Sequence, residues 1–274
     1  MIISASRRTD IPAFFSDWFF DRIDEGFISV RNPRNPGQVR EIDLSPDAVD
    51  GIVFWTKNPA PMLGRLDRLK DYMYYFQFTI TPYGKDIEPG VLKKTTAIVA
   101  TFKQISEMIG ADRVILRYDP ILINDKYTSD YHVIVFDKIL QELHNYTKKV
   151  TISFIDTSYK GVIRNTQKLR LESLTEAAEI KLAATLAKTA HKYGLQIETC
   201  AEKLDLHRYG IGRARCIDSE LFSKLLGKHL IVRKDAGQRP ECGCATSVDI
   251  GTYNTCSHHC LYCYANYNKS PSMF

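Results

Sequence analysis

Residues 113–120 read Arg-Val-Ile-Leu-Arg-Tyr-Asp-Pro. Val114, Ile115 and Leu116 make an apolar run too short and too continuous for a surface helix, and charged groups, Arg117 and Asp119, gather at its end. Such a run reads as a strand buried on both faces, as in a parallel sheet. Residues 2–6, 52–56, 74–81, 150–155 and 195–200 repeat the pattern. Amphipathic stretches lie between them. Ser16 is placed to cap a helix through Asp24 that stops near Gly26, and Ser173 with Glu176 makes a capping box for a helix to Tyr193, stopped by Gly194. Residues 91–109 and 129–144 read as two further helices. Strands alternating with helices imply parallel pairing through right-handed crossovers. The expected fold is therefore α/β, a TIM-barrel-like parallel barrel of six or seven β/α units.

Residues 27–44 interrupt this rhythm and read as a β-hairpin insertion around a Pro/Gly/Asn turn. From residue 234 the chain becomes rich in Gly, Cys, Asn and Tyr. We expect one domain, with residues 1–233 as the barrel body and residues 234–274 as a Cys-rich segment closing it. A length of 274 residues is enough for a full core, and 44% hydrophobic with 25% charged residues excludes a disordered chain or a small disulfide scaffold. No apolar run is long enough for a membrane span, and the first residues lack a signal peptide's order, so a cytoplasmic protein with no membrane partner is expected. The net charge of +5 is spread along the chain; it permits a polyanionic partner without demanding one.

The strand ends supply the first site candidates. Arg7, Arg8, Thr9 and Asp10 follow the first strand, Lys57 and Asn58 the second, Arg117 and Asp119 the central one, Asp156 the next, and Glu198 and Glu202 mark the last. In a parallel barrel these ends share one face, where barrel enzymes keep their active sites. Charges gathered there need partners, water or a ligand.

The cysteines supply the second. None occurs in the first 199 residues, and the count of seven is odd, which excludes complete pairing and points to metal or redox chemistry. Cys256, Cys260 and Cys263 have the spacing C-x3-C-x2-C. Three thiolates on one loop can bind three corners of a cubane iron–sulfur cluster and leave its fourth iron open. Zinc would take a fourth ligand, which His258 or His259 could supply, and unliganded thiols are the plainest alternative. Beside a cluster, the two histidines would tune its surroundings. Cys200, Cys216, Cys242 and Cys244 remain, a complete set for one tetrahedral metal or a second cluster, with the C-x-C pair favouring the cluster over zinc. Cys200 and Cys216 read equally as small buried hydrophobes.

At these residues two resemblances enter. The Cys256/Cys260/Cys263 loop, with Tyr262 before the third cysteine and Tyr-Ala after it, resembles the cluster loop of radical S-adenosylmethionine (SAM) enzymes, most nearly spore photoproduct lyase-like members. The whole chain resembles the family called domain of unknown function 1848, through ISASRRTDIP at 3–12, WTKNP at 55–59, RYDP at 117–120, KDAGQRPECGC at 234–244 and DIGTYNTCSHHCLYCYAN at 249–266. The radical SAM resemblance implies a [4Fe-4S] cluster on the triad and SAM on its open iron. Tyr262 would lie against the cofactor, Arg117 or Lys57 would pair with its carboxylate, and Asp10, Asp119 or Glu198 would accept its ribose hydroxyls. It also implies a reductant such as flavodoxin or ferredoxin, and a 5′-deoxyadenosyl radical abstracting hydrogen from a small or nucleic-acid-derived substrate held by Arg7, Arg8, Asp10, Lys57, Asn58, Arg117 and Asp119. Two departures stand out. The cluster loop comes last, with eleven residues after Cys263, and the chain has no Gly-Gly pair of the kind that holds SAM's methionine end. Circular permutation accommodates the first: residues 247–253 would form the cluster-bearing strand beside residues 2–6. The second leaves open a non-catalytic iron–sulfur or zinc protein, with a structural or electron-transfer site. A metal-dependent hydrolase using Asp10, Asp119, Glu198 and Glu202 lacks the usual histidines.

Overall fold

The computed structural model describes residues 1–267; the final seven residues of the expected 234–274 segment lie outside the described residues. The central run becomes β6 (Val114–Ile121), flanked by β5 (Tyr74–Thr79) and β7 (Lys149–Phe154). β4 (Gly51–Thr56) and β1 (Ile2–Ala5) continue the sheet on one side, and β8 (Gln196–Thr199) and β9 (Ile211–Arg213) on the other. β10 (Val248–Asp249) adds the last strand outside β1, with Ile3 opposite Val248 and Ser4 opposite Asp249. All eight strands are parallel, in the order β10-β1-β4-β5-β6-β7-β8-β9. The C-terminal strand thus lies beside the N-terminal one, though it is shorter than residues 247–253.

The α/β class and the parallel sheet match expectation; a closed barrel does not. β9 and β10 are the two edges of the sheet, and no ladder joins them. Barrel closure requires the first and last strands to pair in register. Here those edges are three and two residues long, and the chain between them is spent on filling the concave face. Side chains alternate across each strand. Ile3, Phe54, Phe76, Leu116 and Ile152 face the helices in the main core, while Ile2, Val53, Tyr75 and Ile115 meet Cys216, Ile217 and Phe222 on the concave side.

The convex face is covered mainly by α2 (Ser16–Glu25), α4 (Val99–Ile109), α5 (Ser129–Leu143) and α7 (Glu176–Lys192). Gly26, left-handed at φ 78°, stops α2 as its position implied. The expected caps differ. Ser16 is already helical, and its hydroxyl accepts from Arg65 Nη2 instead of capping. Thr175, not Ser173, caps α7 by accepting from Ala178 N. The expected 91–109 helix becomes a π-helical turn at Lys94–Ile98 followed by α4. The hairpin forms from β2 (Phe27–Asn32) and β3 (Asn35–Asp43). Three more helices follow strand ends: α1 (Ile11–Phe14) after β1, α3 (Ala60–Leu63) after β4, and α6 (Lys160–Leu169) after β7.

α8 (Ser219–Leu226) follows β9 and drives Phe222 into the N-terminal half of the concave face. A Cβ at Gly51 would meet the Phe222 ring at 2.1 Å, so the glycine in β4 is the seat of that ring. Gly51→Ala is expected to cost about 1–3 kcal/mol by overpacking and Phe222→Ala about 3–5 kcal/mol through the cavity. In the double variant the two costs should fall short of their sum, because removing the ring makes room for the methyl. Urea unfolding of the four proteins measures the coupling; simple additivity would contradict this seat.

Candidate functional site

With the N-terminal half of the concave face filled, its C-terminal half remains as a cleft of about 560 Å³, and all seven cysteines line it. Their placement begins at Asp249. Its carboxylate accepts from Ser4 Oγ at 2.8 Å, Ser6 Oγ at 2.5 Å, Arg7 N at 2.8 Å and Gly251 N at 3.0 Å. This one side chain ties β10 to the end of β1. A Cβ at Gly251 would meet Ser6 Oγ at 2.2 Å, so the two segments cross with no room for a side chain.

The Cys256–Cys263 loop hangs from this junction. Gly90 N donates to His258 O at 2.9 Å and Leu261 N donates to Ile87 O at 3.0 Å. Asn165 Nδ2 and Asn266 Nδ2 donate to Leu261 O and Cys256 O. Two glycines give the loop its bed: a Cβ on Gly90 would meet Ser257 O at 2.2 Å, and one on Gly161 would meet Cys263 O at 2.4 Å. The loop backbone is therefore held from both sides.

Two buried carboxylates underlie the loop. Asp10 caps α1 through Ala13 N, and its other oxygen accepts from Lys57 N at 2.7 Å and pairs with His258 Nε2 at 2.9 Å. With its oxygens so engaged, Asp10 is a scaffold for the loop. His258 is buried, and its Nδ1 has no hydrogen-bond partner. Glu88 receives Lys57 Nζ at 2.9 Å, Thr81 Oγ1 at 2.7 Å and the Tyr262 hydroxyl. Burial works against the charge on Lys57, but Glu88 and then Cys260 outweigh it and raise its pKa.

Burial pushes all three loop thiols up, Cys256 to about 12 with Asp10 adding to the effect. Lys57 opposes the rise at Cys260 and Cys263. Buried thiols of this kind become thiolates when a cation compensates them, as iron does in a cluster. Among the described residues no three Cys, His, Asp or Glu side chains are arranged to hold a single metal ion. A cubane does not ask this of its cysteines, because each holds a different iron. The donor set of the loop therefore fits a cluster.

The opposite wall carries the other four cysteines. Cys200 Sγ lies 3.3 Å from Cys216 Sγ, and Cys242 and Cys244 pack in the same cluster as Cys216. Arg117 Nη1 donates to Cys216 Sγ at 2.8 Å, while its Nε and Nη2 make a fork with Asp119. Cys200 holds the Cys216 thiol down, but Cys244 and burial raise it to about 11, whereas Cys244 brings Cys242 down to about 7.

Of the residues singled out from sequence, Arg7, Arg8, Asp10, Lys57, Arg117, Asp119, Asp156 and Tyr262 line the cleft. Asn58 and Glu198 are not among the described residues that do. Asn58 accepts from Ala60 N at the start of α3, and Glu198 pairs with Lys149 at 2.9 Å beside a separate hollow containing His191 and Gly210. Glu202 accepts from Phe154 N. Sequence reasoning missed Glu88, which carries no local signal, and Asp249, whose role exists only where the two ends of the chain meet. It also missed Arg239, which pairs with Asp156 at 2.9 Å on the rim.

A family model described as Domain of unknown function (DUF1848) matches residues 2–265. The chain belongs to this family. No curated protein and no solved structure matches it. No described helix of this DUF1848 protein is long and apolar enough to cross a membrane.

Asp249→Ala should cost roughly 3 kcal/mol, because the amides of Arg7 and Gly251 lose their acceptor in a half-buried site. Hydrogen exchange should show both amides losing protection; unchanged protection would remove Asp249 as the junction. Glu202 supplies a pH test. Burial raises its pKa from 4.5 to about 7, so the fold holds its proton more tightly than the unfolded chain does. Its contribution is therefore complete below pH 4.5 and is lost as pH rises through about 7, by at most about 3 kcal/mol. Glu202→Gln should flatten that part of the stability–pH curve; a curve of unchanged slope would contradict the assignment.

Proposed function

We propose that this DUF1848 protein is a radical SAM-like iron–sulfur enzyme on an open, circularly permuted relative of the barrel expected from its sequence. The observation that carries this reading is the position of the loop. Cys256, Cys260 and Cys263 follow directly on β10, the edge strand beside β1, and line a cleft shared with charged groups from the ends of β1, β4 and β6. Relative to the sheet, the loop that is last in sequence follows the first strand in space.

A reduced cluster and SAM, if bound here, would supply the electron and the radical chemistry for hydrogen abstraction. The chain's own residues bind, orient and shield. Cys256, Cys260 and Cys263 would hold the cluster, and Lys57, kept charged by Glu88, would offset the thiolate charge that ligation creates beside Cys260. Lys57 Nζ also lies 5.7 Å from the centre of the Tyr262 ring, which closes this side of the cleft. Arg117, fixed by Asp119, would present a guanidinium edge to a carboxylate. Arg7 over Trp55, Arg8 over Tyr253 and Arg239 over Tyr159 give the cleft cations paired with aromatic faces. That lining suits a planar anionic substrate, small or nucleic-acid-derived. The missing Gly-Gly pair favours a second reading, a structural or electron-transfer cluster without SAM.

Anaerobic reconstitution with iron and sulfide, followed by dithionite and SAM, should release 5′-deoxyadenosine. Cys260→Ala should reduce that release to background while leaving the thermal midpoint within a few degrees. The proposal is falsified if iron does not bind, or if Cys260→Ala forms deoxyadenosine at the wild-type rate. Iron binding without deoxyadenosine would favour the second reading.

A further inference from the structure

Cys200, Cys216, Cys242 and Cys244 come from three separated places: the residue after β8, the segment after β9, and the C-x-C turn before β10. They meet in one apolar cluster with Ile217 and Phe222. Cys200 Sγ and Cys216 Sγ touch, Ile217 N next to Cys216 donates to Cys244 Sγ, and Cys242 packs in the same cluster. The 3.3 Å between Cys200 and Cys216 is far beyond a disulfide bond of about 2.05 Å. It is close to the edge, about 3.8 Å, of a tetrahedron whose sulfurs all lie about 2.3 Å from one ion. Cysteines on a cubane, each on its own iron, stand further apart. The spacing therefore favours a single ion over the second cluster expected from the C-x-C pair.

The surroundings of the sulfurs point the same way. Arg117, a permanent cation that is itself buried, donates to Cys216 Sγ at 2.8 Å, and Ile217 N donates to Cys244 Sγ at 3.4 Å. A thiol is a weak acceptor, and a guanidinium aimed at one in an apolar cluster is poorly matched; a thiolate is a strong acceptor. Arg7 lies near Cys244 and Cys216, and Arg239 near Cys200, so with Arg117 three arginines bear on three of the four sulfurs.

We propose that Cys200, Cys216, Cys242 and Cys244 bind one thiophilic divalent ion of the zinc class in tetrahedral thiolate coordination. The four S–H protons pass to solvent, four sulfur–metal bonds form, and no electron moves. Four thiolates and a divalent ion leave two negative charges, beside which the arginines, each also paired with a carboxylate, lie as the nearby cations. No three described side chains are yet arranged around one ion, so binding requires the cysteine side chains to turn toward a common centre. The ion would staple β8, the segment after β9 and the 242–244 turn together on the concave face. None of this depends on what the triad holds, and failure here leaves the reading of the triad untouched.

The test uses the full chain carrying Cys256→Ala, Cys260→Ala and Cys263→Ala, stripped of metal and titrated anaerobically with cobalt(II). A single equivalent should bring up thiolate-to-cobalt charge transfer and the visible bands of tetrahedral sulfur coordination, and zinc should bleach them. Adding Cys216→Ser should weaken or abolish the bands; their absence before that change, or persistence after it, overturns the site. Should these variants fold poorly, the wild-type chain gives the same answer by alkylation and mass spectrometry. Relative to the metal-free chain, one equivalent of zinc should slow alkylation of Cys200, Cys216, Cys242 and Cys244 and leave the rates at Cys256, Cys260 and Cys263 unchanged. Protection of the triad alone, or of no cysteine, overturns it.

Discussion

The carboxylate of Asp249 holds the two ends of the chain together, and the geometry of the cleft depends on that hold. β10 contributes only two residues to the sheet, too few for ladder hydrogen bonds alone to fix a strand. Asp249 supplements them with four hydrogen bonds, two from serine hydroxyls of the β1 end and two from backbone amides. The loop bearing Cys256, Cys260 and Cys263 begins seven residues later. Together with the short β1–β10 ladder, this junction directs the last part of the chain toward the ends of β1, β4 and β6.

A second constraint complements the first. The sheet remains open because residues between its two edge strands leave the ladder and pack Ile217 and Phe222 against its concave face. That packing fills one half of the interior and leaves the other half polar. The same segment delivers Cys216, and Tyr75 and Gln77 hold its carbonyl at 2.8 Å and 3.0 Å. One stretch of chain therefore plugs the apolar half and furnishes a wall of the cleft. The opposite wall rests on Asp10 and Glu88, carboxylates that organise the cysteine loop through His258, Lys57 and Tyr262.

Local sequence revealed six strands of the parallel sheet because most of them, β1, β4, β5 and β6 above all, are nearly continuous buried runs, a property that needs no partner to be visible. It also showed that their charged ends would share one face. Closure was not legible, since it depends on pairing between β9 and β10, two very short strands far apart in the chain. Ser16 and Ser173 looked like caps, but one hydroxyl is taken by Arg65 and the other is displaced by Thr175. Asn58 and Glu198 satisfied the strand-end rule, yet turn geometry occupies the first and Lys149 the second. The split of seven cysteines into three and four could be read from spacing. That both groups would line one cleft followed only from the fold.

The central claim is that the Cys256/Cys260/Cys263 loop offers a cluster with an iron free to take SAM. Electron paramagnetic resonance of the anaerobically reconstituted, dithionite-reduced protein tests this most directly, recorded with and without SAM. A cubane signal whose g values move when SAM is added, and which Cys260→Ala abolishes, is the expected result. A signal indifferent to SAM, or one that survives loss of Cys260, would contradict the claim.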